Sequence, residues 1–156
     1  MTAPQIEAAY APFAAALRAG GFAEPDDGWN ASQIGAHICL NNELLSELAG
    51  RLHGGADVSY DNHPAIDDDS LLAYASGLGG LPALADAVQA SAARLALAYE
   101  QLTAEERARP VPATIADGGH IVRDGPVPLG DLIIGNGDFH LALHFEQLQA
   151  LPAQRP

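Results

Sequence analysis

The amino-acid sequence predicts an all-α fold, a four-helix bundle with a small hairpin-like excursion before the last helix, in a single domain over residues 1–156. Three observations lead there. Hydrophobic residues make up 48% of the chain and aromatic ones only 6%, so Ala, Leu, Ile and Val must fill the core, which suits closely approaching helices. Apolar residues recur at helical spacing through several long segments. Residues 110–128 alone break the pattern, with β-prone stretches on either side of Asp117-Gly118-Gly119.

In chain order, Ile6, Tyr10, Phe13 and Leu17 mark one face of a first helix, with Thr2 as N-cap, Pro12 expected to bend it and Gly20-Gly21 ending it. The second helix opens on a capping box, Asn30 with Gln33, and runs to Gly50. Its inward stripe reads Ile34, His37, Asn41, Leu45, Leu48 and Leu52. Residues 52–69 are rich in Gly, Asp and Asn without a period and read as a long loop, a length often functional or disordered. A third helical region follows from about Ser70 to Ala104, with Gly79, Gly80 and Pro82 breaking it early. After the hairpin, expected to be peripheral, Asp131 can cap a last helix to about Leu151 with the stripe Ile133, Gly137, His140, His144, Leu148 and Leu151.

Composition also excludes partners. Twenty Asp and Glu face seven basic residues, all Arg, for a formal net charge of -13, and no segment carries the basic stripe that nucleic acid or an anionic membrane surface requires. Apolar runs stop well short of twenty residues and the N-terminus lacks a signal-peptide pattern, so a cytoplasmic protein is expected. The single cysteine, Cys39, cannot build a thiolate-rich zinc site. Any metal must rest on His and carboxylates.

His140 and His144 stand four apart on a helix, so their rings project from one face a turn apart. A lone histidine on an apolar stripe is ordinarily a satisfied core residue. Two on the stripe of the last helix and a third, His37, on that of the second point instead to one divalent ion held by three neutral imidazoles. Such an ion keeps its full charge and a free coordination position, as catalytic sites do. Zinc, nickel and ferrous iron all accept imidazole, and the sequence does not choose among them.

The chain resembles the DinB-like superfamily, which includes the N-terminal domain of mycothiol-dependent maleylpyruvate isomerase and the bacillithiol S-transferases. The resemblance rests on Trp29 opening the second helix, on His37 in IGAHICLNNELL and on His140 and His144 in GDFHLALHFEQL. It implies that His37 and the HxxxH pair His140 and His144 bind the metal. The isomerase branch carries Glu as the first member of that pair, so His140 places the chain nearer the thiol-transferase type. The activity then implied is S-transfer with a low-molecular-weight thiol as co-substrate. Metal-dependent hydrolysis, and a non-catalytic metal-binding or ligand-sensing bundle, are the alternatives. In the last case a homodimer could form through alanine-rich helix faces.

Two further residues are candidates for chemistry. Asn41, one turn after His37, could orient a metal-bound water or be satisfied between helices. In the long loop Tyr60, Asp61 and His63 could cover the metal, with Asp61 as a general base. Asp67, Asp68 and Asp69 lack the spacing of a calcium loop and place negative charge at a helix start. Asp138, His53 and His120 read as exposed, Cys39 as a small buried hydrophobe and Trp29 as a helix-start staple.

Overall fold

Wherever a helix stops in this chain, a proline, a glycine pair or a cap stops it. In the computed structural model, which describes residues 1–154, α1 (Ala3–Ala9) and α2 (Ala11–Ala19) part at Tyr10, because Pro12 in the first turn of α2 has no N–H to offer α1. The last two residues of the expected 1–156 domain lie outside the described residues. Helix α3 (Ala31–His53) starts on the expected box: Gln33 N–H donates to Asn30 Oδ1 at 3.0 Å and Asn30 N–H to Gln33 Oε1 at 3.1 Å. Asp67 caps α4 (Asp68–Leu78) by accepting from Ser70 N–H at 2.9 Å. Gly79 and Gly80, at φ 83° and 131°, then turn the chain by 107° into α5 (Leu81–Gln101), a corner only glycine makes without strain.

The expectation of a four-helix all-α bundle needs correcting. The fold is mostly helical, but more finely divided, and it contains a three-stranded sheet. A short helix, α6 (Ala104–Ala108), turns the chain out of α5, and β2 (Pro110–Asp117) and β3 (His120–Pro128) form the hairpin. Gly118 and Gly119, at φ 54° and 79°, supply the left-handed pair its two-residue turn needs. The loop over 52–69 adds β1 (Tyr60–Asp61), parallel to β2, and a 3-10 turn at His63–Ala65. Val111, Ala113, Ala116 and Val127 are buried, so the hairpin is joined to the core rather than peripheral to it. The last helix starts at Leu129 and has three parts: α7 (Leu129–Gly135), a π-helical stretch Asn136–His140, and α8 (Leu141–Gln149).

Helices α3 and α5 form the main packing pair, with α1 and α2 packed on α5 and α8 in contact with α3. The expected inward stripe of α3 is buried throughout, from Ile34 to Leu52. Close approach is set at Gly35, where a Cβ would stand 2.6 Å from Leu84 Cδ2 and 3.0 Å from Leu17 Cδ1. Among the described residues no single helix is long and apolar enough to cross a membrane.

Two glycines of α3 should therefore respond oppositely to alanine. Gly35→Ala forces Leu84 and Leu17 aside, and overpacking of about 1–3 kcal/mol outweighs the helix-propensity gain of about 1 kcal/mol. Gly50→Ala meets nothing within 4 Å and keeps only the gain. Urea unfolding should show the first variant less stable than the parent and the second more stable.

Candidate metal centre

Two helices distant in sequence, α3 and the last helix, meet at the histidines. His37 is on the buried stripe of α3 and 2% exposed, His140 closes the π-helical stretch, and His144 follows one turn later in α8. Their imidazole centroids are 4.8 Å apart for His37 and His140, 4.4 Å for His37 and His144, and 4.6 Å for His140 and His144. One nitrogen of each lies within 4.8 Å of the others, a group able to hold a metal ion.

Hydrogen bonds fix which nitrogens face inward. His37 Nδ1–H donates to the carbonyl oxygen of Ala65 at 2.6 Å, and His144 Nδ1–H to Gln147 Oε1 at 2.8 Å. Both bonds leave Nε2 with its lone pair, the arrangement in which a second partner orients a ligating histidine. His37 Nε2 and His140 Nε2 are 2.8 Å apart. Ligands at about 2.0–2.1 Å from a tetrahedral ion are separated by about 3.3–3.4 Å, so these two rings need part by only about half an ångström. His140 Nδ1 is buried without a partner, a cost of about 1–3 kcal/mol that packing alone does not explain.

Electrostatics keep the rings in the ligating form. Burial pushes the His37 imidazole down to about 3, with His144 adding to the effect and the Ala65 bond opposing it. Burial, then His37 and His144, holds His140 well below the ordinary histidine value. His144 is lowered by burial against the opposing pull of Gln147 and of the Asp117 carboxylate at the hairpin tip. At neutral pH all three are uncharged, so no proton must leave for an ion to enter.

Around them stand residues with other roles than the sequence implied. Trp29 packs its indole on His37 and His144, with centroids 4.9 and 6.0 Å away, and its Nε1–H donates to Asp68 Oδ1 at 2.9 Å. It walls the centre as well as opening α3. Asn41 is buried but makes no hydrogen bond to the histidines: Tyr60 Oη donates to its Oδ1, and its Nδ2 donates to Asn136 Oδ1. Asp61 is exposed and its carboxylate is engaged by His63, accepting from the backbone N–H at 3.0 Å and from Nδ1. Those bonds hold it below the usual carboxylate range and weaken it as a base.

Sequence reasoning missed Asn136, Tyr10 and Asn42, a buried polar group directly beneath the last helix. Asn136 Nδ2 donates to Tyr10 Oη at 2.9 Å and to Asn42 Oδ1 at 2.7 Å. The available signal was polar amides, Asn41-Asn42 and Asn136, in otherwise apolar helices. The remaining candidates fall outside the centre: His53 pairs with Glu106 at 3.2 Å, His120 and Asp138 are exposed, and burial pushes the Cys39 thiol up to about 12.

Because Trp29 is the chain's one tryptophan, its fluorescence reports on the centre. Titration with cobalt(II) or nickel(II) should quench it saturably in the wild type and leave it nearly unchanged in His144→Ala. Equal quenching in both proteins would place the ion elsewhere.

Compared with protein-family models, with curated proteins and with solved structures, the chain matches none.

Proposed function

We propose that this domain is a metal-binding bundle that holds one divalent ion, zinc, nickel or ferrous iron, through His37, His140 and His144 and offers it to a small-molecule ligand. The observation that carries the reading is the convergence of three neutral imidazoles within 4.8 Å, two of them locked by their outer nitrogens. Bound there, an ion supplies Lewis acidity at an open coordination position. The chain's part is preorganisation. Ala65 and Gln147 hold two rings in the ligating tautomer, burial keeps all three uncharged, and Trp29 shields one side from water. Metal content of untagged wild-type protein should be about one ion per chain and should fall to trace in His140→Ala. Trace metal in both proteins, unchanged after incubation with zinc, nickel or ferrous ion, overturns the reading.

A second reading is thiol S-transfer of the DinB-like type. Two observations favour it: among the described residues no carboxylate or thiolate joins the three histidines, so the charge of an ion there is not offset, and Cys39 is buried elsewhere. A thiolate ligand would therefore come from a low-molecular-weight thiol, whose pKa such an ion lowers. Cobalt(II)-loaded protein should then show a saturable thiolate-to-metal absorption band with mycothiol, bacillithiol or glutathione. No band with any of the three removes this reading and leaves metal binding standing.

A further inference from the structure

We infer that Asn136 is a positioning residue for the metal centre: its buried amide pins the π-helical turn that brings His140 and His144 onto His37. The inference rests on the metal-binding reading. In a regular α-helix each residue advances about 100°, so one extra residue in a π turn rotates everything beyond it by about that much relative to what came before. Upstream, Leu129, Leu132 and Ile133 fix the rotation of α7 by being buried; downstream, the histidines must face α3. The π turn reconciles the two demands. Leu141 N–H reaches back to the carbonyl oxygen of Asn136, a step of five residues, and is shared with the carbonyl oxygen of Asp138.

The same residue is held from the other side by its side chain. Nδ2 donates to Tyr10 Oη at 2.9 Å and to Asn42 Oδ1 at 2.7 Å, and Oδ1 accepts from Asn41 Nδ2. Asn41 and Asn42 belong to α3, and Asn41 lies one turn beyond His37. Asn136 thus ties the helix that carries one ligand to the backbone turn that aims the other two. A purely structural role does not require this, since a buried polar network can often be replaced by apolar side chains of similar volume at little cost.

The test compares three variants with the wild type by cobalt(II) titration, visible absorption of the bound cobalt, and imidazole-to-imidazole NOEs between His37 and His140 in the metal-free protein. Asn136→Leu should weaken cobalt binding about 10–100-fold, change the absorption bands and lose the NOE. Deletion of Asp138, an exposed residue of the π turn, removes the extra residue, so a regular helix carries both histidines to the same face; cobalt binding should be retained with the fold, and its loss would overturn the rotation argument. Ser91→Ala removes the far end of the network, where Asn42 Nδ2 donates to Ser91 Oγ at 3.1 Å, and should lower the melting temperature without altering the spectrum. Wild-type affinity and spectrum in Asn136→Leu, or an equal change in Ser91→Ala, overturns the inference; if Asn136→Leu does not fold, Asn136→Ala, which removes the amide without adding bulk, decides by the same criteria. No cobalt binding by the wild type would sink the metal reading, and the NOEs then decide the positioning role alone.

Discussion

The hydrogen bond from His37 Nδ1 to the carbonyl oxygen of Ala65 joins the helical body to the segment laid over it. It selects the tautomer that points the Nε2 lone pair at His140, and it requires residues 63–65 to stand beside α3. Those residues are held there by a succession of bonds. β1 pairs in parallel with β2, Asn62 N–H donates to Thr114 O, and the Asn62 side chain clamps Ala116, accepting from its N–H at 2.8 Å and donating to its carbonyl at 2.9 Å. The small sheet is therefore a brace for the centre. A helical bundle alone would have left the His37 Nδ1–H buried without an acceptor, at a cost comparable to a lost hydrogen bond.

Beneath the centre the same accounting governs the buried amides. Tyr60, Asn41, Asn136, Tyr10, Asn42 and Ser91 form one connected set, ending where Ser91 Oγ donates to Val88 O at 2.9 Å. Burial raises the phenols of Tyr10 and Tyr60 above their ordinary value, so both remain neutral donors. Such a set is stable only when closed, because removing one member strands its partners in a low-dielectric interior. It also joins the α1–α2 junction, α3, α5, β1 and the last helix. Relative motion of any two of these elements breaks at least one of its bonds, and this gives the centre a rigid floor.

The sequence was informative where a side chain broke an apolar period. His37, His140 and His144 replaced apolar residues on otherwise clean stripes, and the structure brings all three together. The Asn30 cap, the Gly79-Gly80 break and the Asp117–His120 hairpin were legible for the same kind of reason, since each depends on residues close in sequence. What was illegible depends on distant contacts. The two residues of β1 are too few to show an alternating pattern, and they are a strand only because β2 lies beside them. The π turn precedes the His140-His144 pair and so leaves its spacing unchanged. Asn41 looked available for ligand chemistry until Tyr60 and Asn136, distant in sequence, were found to occupy its amide.

Charge completes the picture of the centre. The chain carries a formal net charge of -13, yet burial is the largest influence on each of the three histidines, and the Asp117 carboxylate opposes it at His144. Surface carboxylates more than about 8 Å away are largely screened at physiological ionic strength. Carboxylate ligands would have bound a divalent ion more tightly but neutralised it, whereas three imidazoles leave its charge for whatever arrives. The acidic exterior repels anions at long range while the centre would attract them at contact, so selection of a ligand falls to the few groups at its rim. Trp29 offers an apolar wall there and Asp117 a single negative charge. On the proposed metal-binding reading, this combination would suit a neutral or weakly acidic ligand able to give up a proton on reaching the ion.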